Sequence, residues 1–198
     1  ATLTACAVEA RRACDLPIGI NVLRNDALSA LAVAGAAGAS FVRVNVHVGA
    51  AVTDQGILQG HAHSTLRARR AWGLDEVDVW ADVAVKHAAP LGERPLEDEV
   101  HDAILRGLAT AILVTGRATG AGAATADIER ASGAIGDHDV GLYVASGATP
   151  DDLPRLRRAG ATGVVVGSWI RDRGLAGGPI DAARAKTFAT AFGASFGE

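Results

Sequence analysis

FVRVNVHV, residues 41–48, alternates without a break. In an extended chain successive side chains point to opposite faces, so Val42, Val44, Val46 and Val48 share one side, and Phe41, Arg43, Asn45 and His47 share the other. DVWADVAVK, residues 78–86, repeats the pattern, with Val79, Ala81, Val83 and Val85 against Asp78, Trp80, Asp82, Ala84 and Lys86. Residues 17–22 set Ile18, Ile20 and Val22 against Gly19 and Asn21. Parallel strands covered by helices on both faces are apolar on both sides. Strands with one valine face and one polar face instead suit a closed barrel, whose outer face meets helices and whose inner face meets the axis.

The rest of the chain supplies the helices. Strand-like runs at about 17–22, 41–48, 78–85, 110–115, 141–146 and 163–168 are each followed by an alanine-rich helical stretch, at about 27–37, 62–72, 96–107, 125–135, 150–159 and 181–192. Asp26, Pro95 and Pro150 mark helix starts, and Gly38, Gly73 and Gly160 mark stops. Strict alternation predicts parallel strands with right-handed crossovers in one domain, residues 1–198. The first residues, ATLTACAVEARRAC, read as a helix with no strand ahead of it. A leading helix plus six strand-helix units fits an α/β fold of the (β/α)8 TIM-barrel type lacking its first two units.

Composition narrows the class of partner. With 19 Lys+Arg against 22 Asp+Glu and a net charge of -3, the chain offers no basic surface for nucleic acid. The longest apolar stretch, 27–42, runs into Arg43 before it reaches the roughly 20 residues of a membrane-spanning helix. No secretory leader is visible, so a cytoplasmic location is expected. Cys6 and Cys14 are expected to be buried free thiols on one helix. Neither a cofactor nor a metal is expected, since His61 and His63 lack a carboxylate at ligand spacing. Self-association is left open.

Active sites of this fold form where strands end and loops lead into helices. Lys86 and His87 fall at such an end, with Asp82 deeper on the same face and Asn21, Arg43 and Asn45 on neighbouring strands. A lysine there can stabilise a developing anion, act as a general acid, or form a Schiff base when desolvated; an adjacent aspartate favours its charged form. The last two strands end in VASGATPDD and VVVGSWIRDRG. Their Ser146, Gly147, Gly167 and Ser168 leave backbone N–H groups open to an anion, and the loops after strands seven and eight of such barrels often hold phosphate.

Taken together, PIGINVLRND, FVRVNVHVGAAVTDQGILQG, ADVAVKHAAPLGERPLED, ILVTGRATG, VASGATPDDL and GVVVGSWIRD resemble the BtpA/SgcQ family of (β/α)8-barrel proteins over nearly the whole chain. The resemblance implies two further strand-helix units ahead of PIGINV and a kinship with phosphate-binding barrel enzymes. One branch of that family is linked to photosystem I stability at thylakoid membranes, and another lies among sugar-metabolism genes. His47, Arg117 and Trp169 depart from the family's usual loops, and the family transfers no settled catalytic residue. The expected function is therefore an enzyme, a lyase or isomerase by preference, acting on a small phosphorylated metabolite such as a sugar phosphate. Catalysis is assigned to Lys86, Asp82, Asn45, Arg43, Asn21 and His87. The competing expectation is a non-catalytic assembly factor for a membrane complex.

Overall fold

A computed structural model describes residues 1–23, 25–53, 55–83, 88–92, 94–116 and 123–197. Six strands form one parallel sheet: β1 (Gly19–Ile20), β2 (Phe41–Val44), β5 (Asp78–Val83), β7 (Ala111–Val114), β8 (Gly141–Ala145) and β9 (Gly163–Val165). Their order across the sheet is their order in the chain. A doubly wound sheet reverses direction at a switch point. Here every crossover steps the same way, which puts the helices on one face and curves the sheet as a barrel wall, as the one-sided valine pattern predicts. Among the described residues β1 and β9 remain the two edges.

The convex face is the core. Val42, Val79, Ala81, Val83, Ile112, Val114, Leu142 and Val144 are buried there beneath α2 (Ala27–Ala37), α4 (Leu96–Leu105), α5 (Thr125–Ile135) and α6 (Leu153–Arg158). Local signals set the helix ends. The Asp26 carboxylate accepts from Ser29 N at 3.0 Å, and Gly38 closes α2 at φ 64°, a conformation that costs a residue without Cβ little. Before α6, Thr149 N and Oγ1 donate to Asp152 Oδ2 at 3.1 and 2.8 Å, a reciprocal cap around Pro150. The remaining helices are α1 (Thr2–Ala13), α3 (Ala62–Ala71) and α7 (Ala182–Phe196). Helix α1 packs against α2 and buries only Ala7. That narrow contact corrects one expectation: Cys6 and Cys14 are free but exposed.

The concave face carries a ladder of aromatic rings. Phe41 stacks on Trp80 at 3.9 Å, and Trp80 on Tyr143 at 4.3 Å. Glycines make room for it, since a Cβ on Gly19 would stand 2.0 Å from the Phe41 ring, and one on Gly163 would stand 2.6 Å from that of Tyr143.

Two features were not anticipated. Strand β2 stops at Val44, and the chain turns into a three-stranded antiparallel flap of β3 (Ala50–Thr53), β4 (Gly56–Gln59) and β6 (Ala88–Pro90), ordered β4-β3-β6. With β2 ended, alternation no longer decides facing, and His47 does not join the axis side. It is buried in the helix layer, with Nε2 2.8 Å from the Gly107 carbonyl oxygen. Among the described residues, no helix is long and apolar enough to cross a membrane.

Candidate active site

The strand ends bring the axis-facing polar residues together. Arg43 is the penultimate residue of β2 and Asp82 that of β5, and the register pairs Arg43 with Trp80, so Asp82 is Arg43's diagonal neighbour one pleat cycle nearer the mouth. Arg43 Nε donates to Asp82 Oδ1 at 2.8 Å and Nη2 to Oδ2 at 2.9 Å, a two-pronged ion pair. Asn45 Nδ2 donates to the same Oδ2 at 2.8 Å. Asn21, just past β1, donates through Nδ2 to the Arg43 carbonyl at 2.8 Å and to Asn45 Oδ1 at 3.3 Å. Four of the six residues assigned to catalysis thus form one network.

Its chemistry follows from how the donors are spent. Both Asp82 oxygens are occupied and the side chain is 1% exposed, so Asp82 acts as an anchor for the guanidinium rather than as a free base. The Arg43 side chain remains 21% exposed. Of its five N–H groups, three meet no acceptor among the described residues. The network therefore presents oriented donors to the concave face, above the Phe41–Trp80–Tyr143 stack. Lys86 and His87, the other two catalytic assignments, lie outside the described residues.

The second cluster lies past β8 and β9. A pocket of about 200 Å3 is lined by Gly147, Thr149, Gly167, Ser168, Trp169 and Arg184, among others. Three of the four residues predicted to cradle phosphate are in it. The fourth, Ser146, immediately precedes Gly147 and takes φ 143°, followed by φ 67° at the glycine. A positive φ at a residue bearing Cβ is costly and tends to be retained at functional sites. The long connection from β9 to α7 is pinned by an antiparallel bridge between Arg171 and Ile180 and by Asp172 N donating to the Pro179 carbonyl at 3.0 Å. This pinning holds Trp169 against α7. Arg184 Nε then donates to the Trp169 carbonyl at 2.5 Å, and the guanidinium carbon sits 4.6 Å from the centre of the Trp169 ring.

Arg184 escaped the sequence reading, because one arginine in the first turn of an alanine-rich helix carries no motif. Trp169 was noticed only as a departure from the family loop. Two further groups have clear electrostatic signatures. Burial holds the His47 imidazole below its ordinary pKa against the opposing Gly107 hydrogen bond, and among the described residues its Nδ1 has no partner. Burial raises the Tyr143 phenol.

A model of the BtpA family matches residues 1–193. The chain belongs to the BtpA family. It is 46% identical over 172 residues to the photosystem I biogenesis protein BtpA of Synechocystis sp., covering 87% of this chain and 58% of that protein. It is 40% identical over 186 residues to an uncharacterized protein of Thermococcus kodakarensis, covering 94% and 69%. The chain thus spans little more than half of the cyanobacterial relative's length. Among solved structures, thiamine phosphate pyrophosphorylase from Pyrococcus furiosus matches with TM-score 0.64 at 12% identity, over 99% of this chain and 78% of that one. N-(5'-phosphoribosyl)anthranilate isomerase from the same organism matches with TM-score 0.61 at 13% identity, over 96% and 80%. These likenesses establish the TIM-barrel type of fold for this BtpA-family chain.

Proposed function

We propose that this BtpA-family chain contributes the active face of an enzyme acting on a small phosphorylated metabolite, a sugar phosphate by preference. The observation that carries the reading is the pocket at the ends of β8 and β9, where Gly147, Gly167 and Ser168 meet Arg184. The names of the barrel neighbours, a thiamine phosphate pyrophosphorylase and a phosphoribosylanthranilate isomerase, support a phosphorylated ligand. In this reading the pocket holds the phosphate and Arg43, Asn45 and Asn21 orient the rest of the molecule, with Asp82 fixing Arg43. Lys86, four residues beyond Asp82 in sequence, supplies the reacting cation or general acid, and His87 stands beside it in sequence. The six units form part of an eight-stranded barrel; the matched enzymes, covered to 78% and 80%, support this. A lyase or isomerase reaction suits a site built from donors and cations.

Glycerol 3-phosphate titrated into the protein by calorimetry should bind, and Ser168→Asp should abolish binding by like-charge repulsion while the fold, read by circular dichroism, stays intact. Unchanged affinity in that variant would return Ser168 to a purely structural place in its loop.

A second reading follows from the name of the Synechocystis relative: an assembly factor for a membrane protein complex. It finds support in the flap, where Val52 and Ile57 are cross-strand neighbours and both are exposed. A docking surface would lose function on Ile57→Lys and keep it on Ser168→Asp; the enzyme reading expects the reverse.

A further inference from the structure

The pocket beyond β8 and β9 sets the Arg184 guanidinium beside the Ser168 hydroxyl and glycine backbone. None of the described residues lining it is acidic. Of the carboxylates near it along the chain, Asp181 accepts from Ala183 N and Arg184 N at 2.9 and 3.0 Å, Asp152 is held by Thr149 and Arg155, Asp172 pairs with Arg173 at 3.3 Å, and Asp151 is exposed. Among the described residues Arg184 spends only Nε, on the Trp169 carbonyl, which leaves four N–H groups on its two terminal nitrogens. Its planar face is fixed against Trp169, whose ring lies 5.7 Å from that of Phe188 on the same helix. Gly174 completes the wall, and a Cβ there would come within 3.9 Å of Arg184 Nη2. A guanidinium held so firmly, with no acidic partner among the described residues, is a preorganised anion receptor.

Such a lining also discriminates between charge states. A fixed cation with no carboxylate among the described lining residues attracts a doubly charged oxyanion more strongly than a singly charged one. We infer that the pocket selects a fully deprotonated, doubly charged tetrahedral oxyanion, and that Arg184 supplies this selectivity. The inference rests on the reading that the pocket holds phosphate and states which form of it is taken. The ligand class is a terminal phosphate monoester in its dianionic form, with sulfate as an equally acceptable mimic, since both ions in that state are doubly charged.

The test is calorimetric titration with glycerol 3-phosphate and with sulfate, each at pH 8 and pH 5.5. A monoester with a second pKa of about 6 is roughly one quarter dianion at pH 5.5 and almost wholly dianion at pH 8. Its affinity should therefore fall about fourfold, while that of sulfate changes less than twofold. Arg184→Gln should weaken both ligands by about tenfold or more. Arg184→Lys keeps the charge without the fork and should fall between, which covers the case in which loss of the Trp169 contact unfolds the glutamine variant. A glycerol 3-phosphate affinity that does not fall with pH, or binding of glycerol 3-phosphate without sulfate, would overturn dianion selection and leave the phosphate reading standing. Full affinity in Arg184→Gln would remove Arg184 from the assignment. Failure of the unmodified protein to bind either ion would overturn the phosphate reading itself.

Discussion

Replacing Arg43 by methionine should cost far more than replacing Asp82 by leucine, although both remove the same ion pair. The asymmetry comes from what each change strands. In Arg43→Met the Asp82 carboxylate, 1% exposed, keeps, among the described residues, only the Asn45 amide as a partner. Removing one member of a buried pair typically costs about 3–5 kcal/mol because the other charge stays uncompensated. In Asp82→Leu the orphaned group is the Arg43 guanidinium, 21% exposed, and water at the concave face relieves part of that penalty, so about 1–3 kcal/mol is expected. The double replacement should recover most of the loss, since trading a buried pair for apolar groups of similar size is often nearly neutral. Urea midpoints with slopes for both single variants and the double variant give the coupling energy directly. Equal single-variant costs would refute the argument from burial, and additive costs would refute the pairing. If the double variant is stable yet no longer binds glycerol 3-phosphate or a longer sugar phosphate, the pair is retained for its donors rather than for stability.

Two further outcomes follow from the structure. Gly19→Ala should cost about 1–3 kcal/mol in the same urea assay, because its methyl would stand 2.0 Å from a Phe41 ring already stacked on Trp80; a neutral substitution would mean that the stack is loose. His47 is held by burial below its ordinary value of 6.5, so the unfolded chain takes up the proton first. Its contribution is intact above pH 6.5 and is lost as pH falls from there through the lowered folded value. His47→Gln should flatten the decline of stability between pH 7.5 and 5, and an unchanged slope would remove His47 from that decline.

The fold was legible because its signals are local and repeated. A valine at every second position, a proline or aspartate opening three of the helices and a glycine closing three are read within a few residues, and all six parallel strands and the helices between them fall where those signals put them. The flap was not legible. AAVT and GILQ are short, and their apolar faces are shared with solvent, so no period stands out. Residues 41–48 show where alternation stops informing: it holds to Asn45 and fails at His47, because the neighbour that enforces it, β5, pairs only as far as Val44.

The site shows the same limit in a sharper form. Alternation correctly put Asn21, Arg43, Asn45 and Asp82 on one face, but a shared face does not name a partner. Residues four apart in an extended strand stand about 13 Å from each other, too far for a short carboxylate to span. A diagonal neighbour on the adjacent strand is roughly 7–8 Å away, within reach of an arginine. Arg43 is that neighbour once Phe41 is set opposite Asp78, and register is the one quantity that a single strand's sequence does not contain. The same reasoning explains Arg184, whose relevance comes from a loop that folds Trp169 back onto α7 and from nothing in the helix itself. What the sequence can say of such a site is which faces and which loops converge; which donor meets which acceptor is decided between strands, and among the described residues the observed geometry gives Asp82 to Arg43 and Asn45.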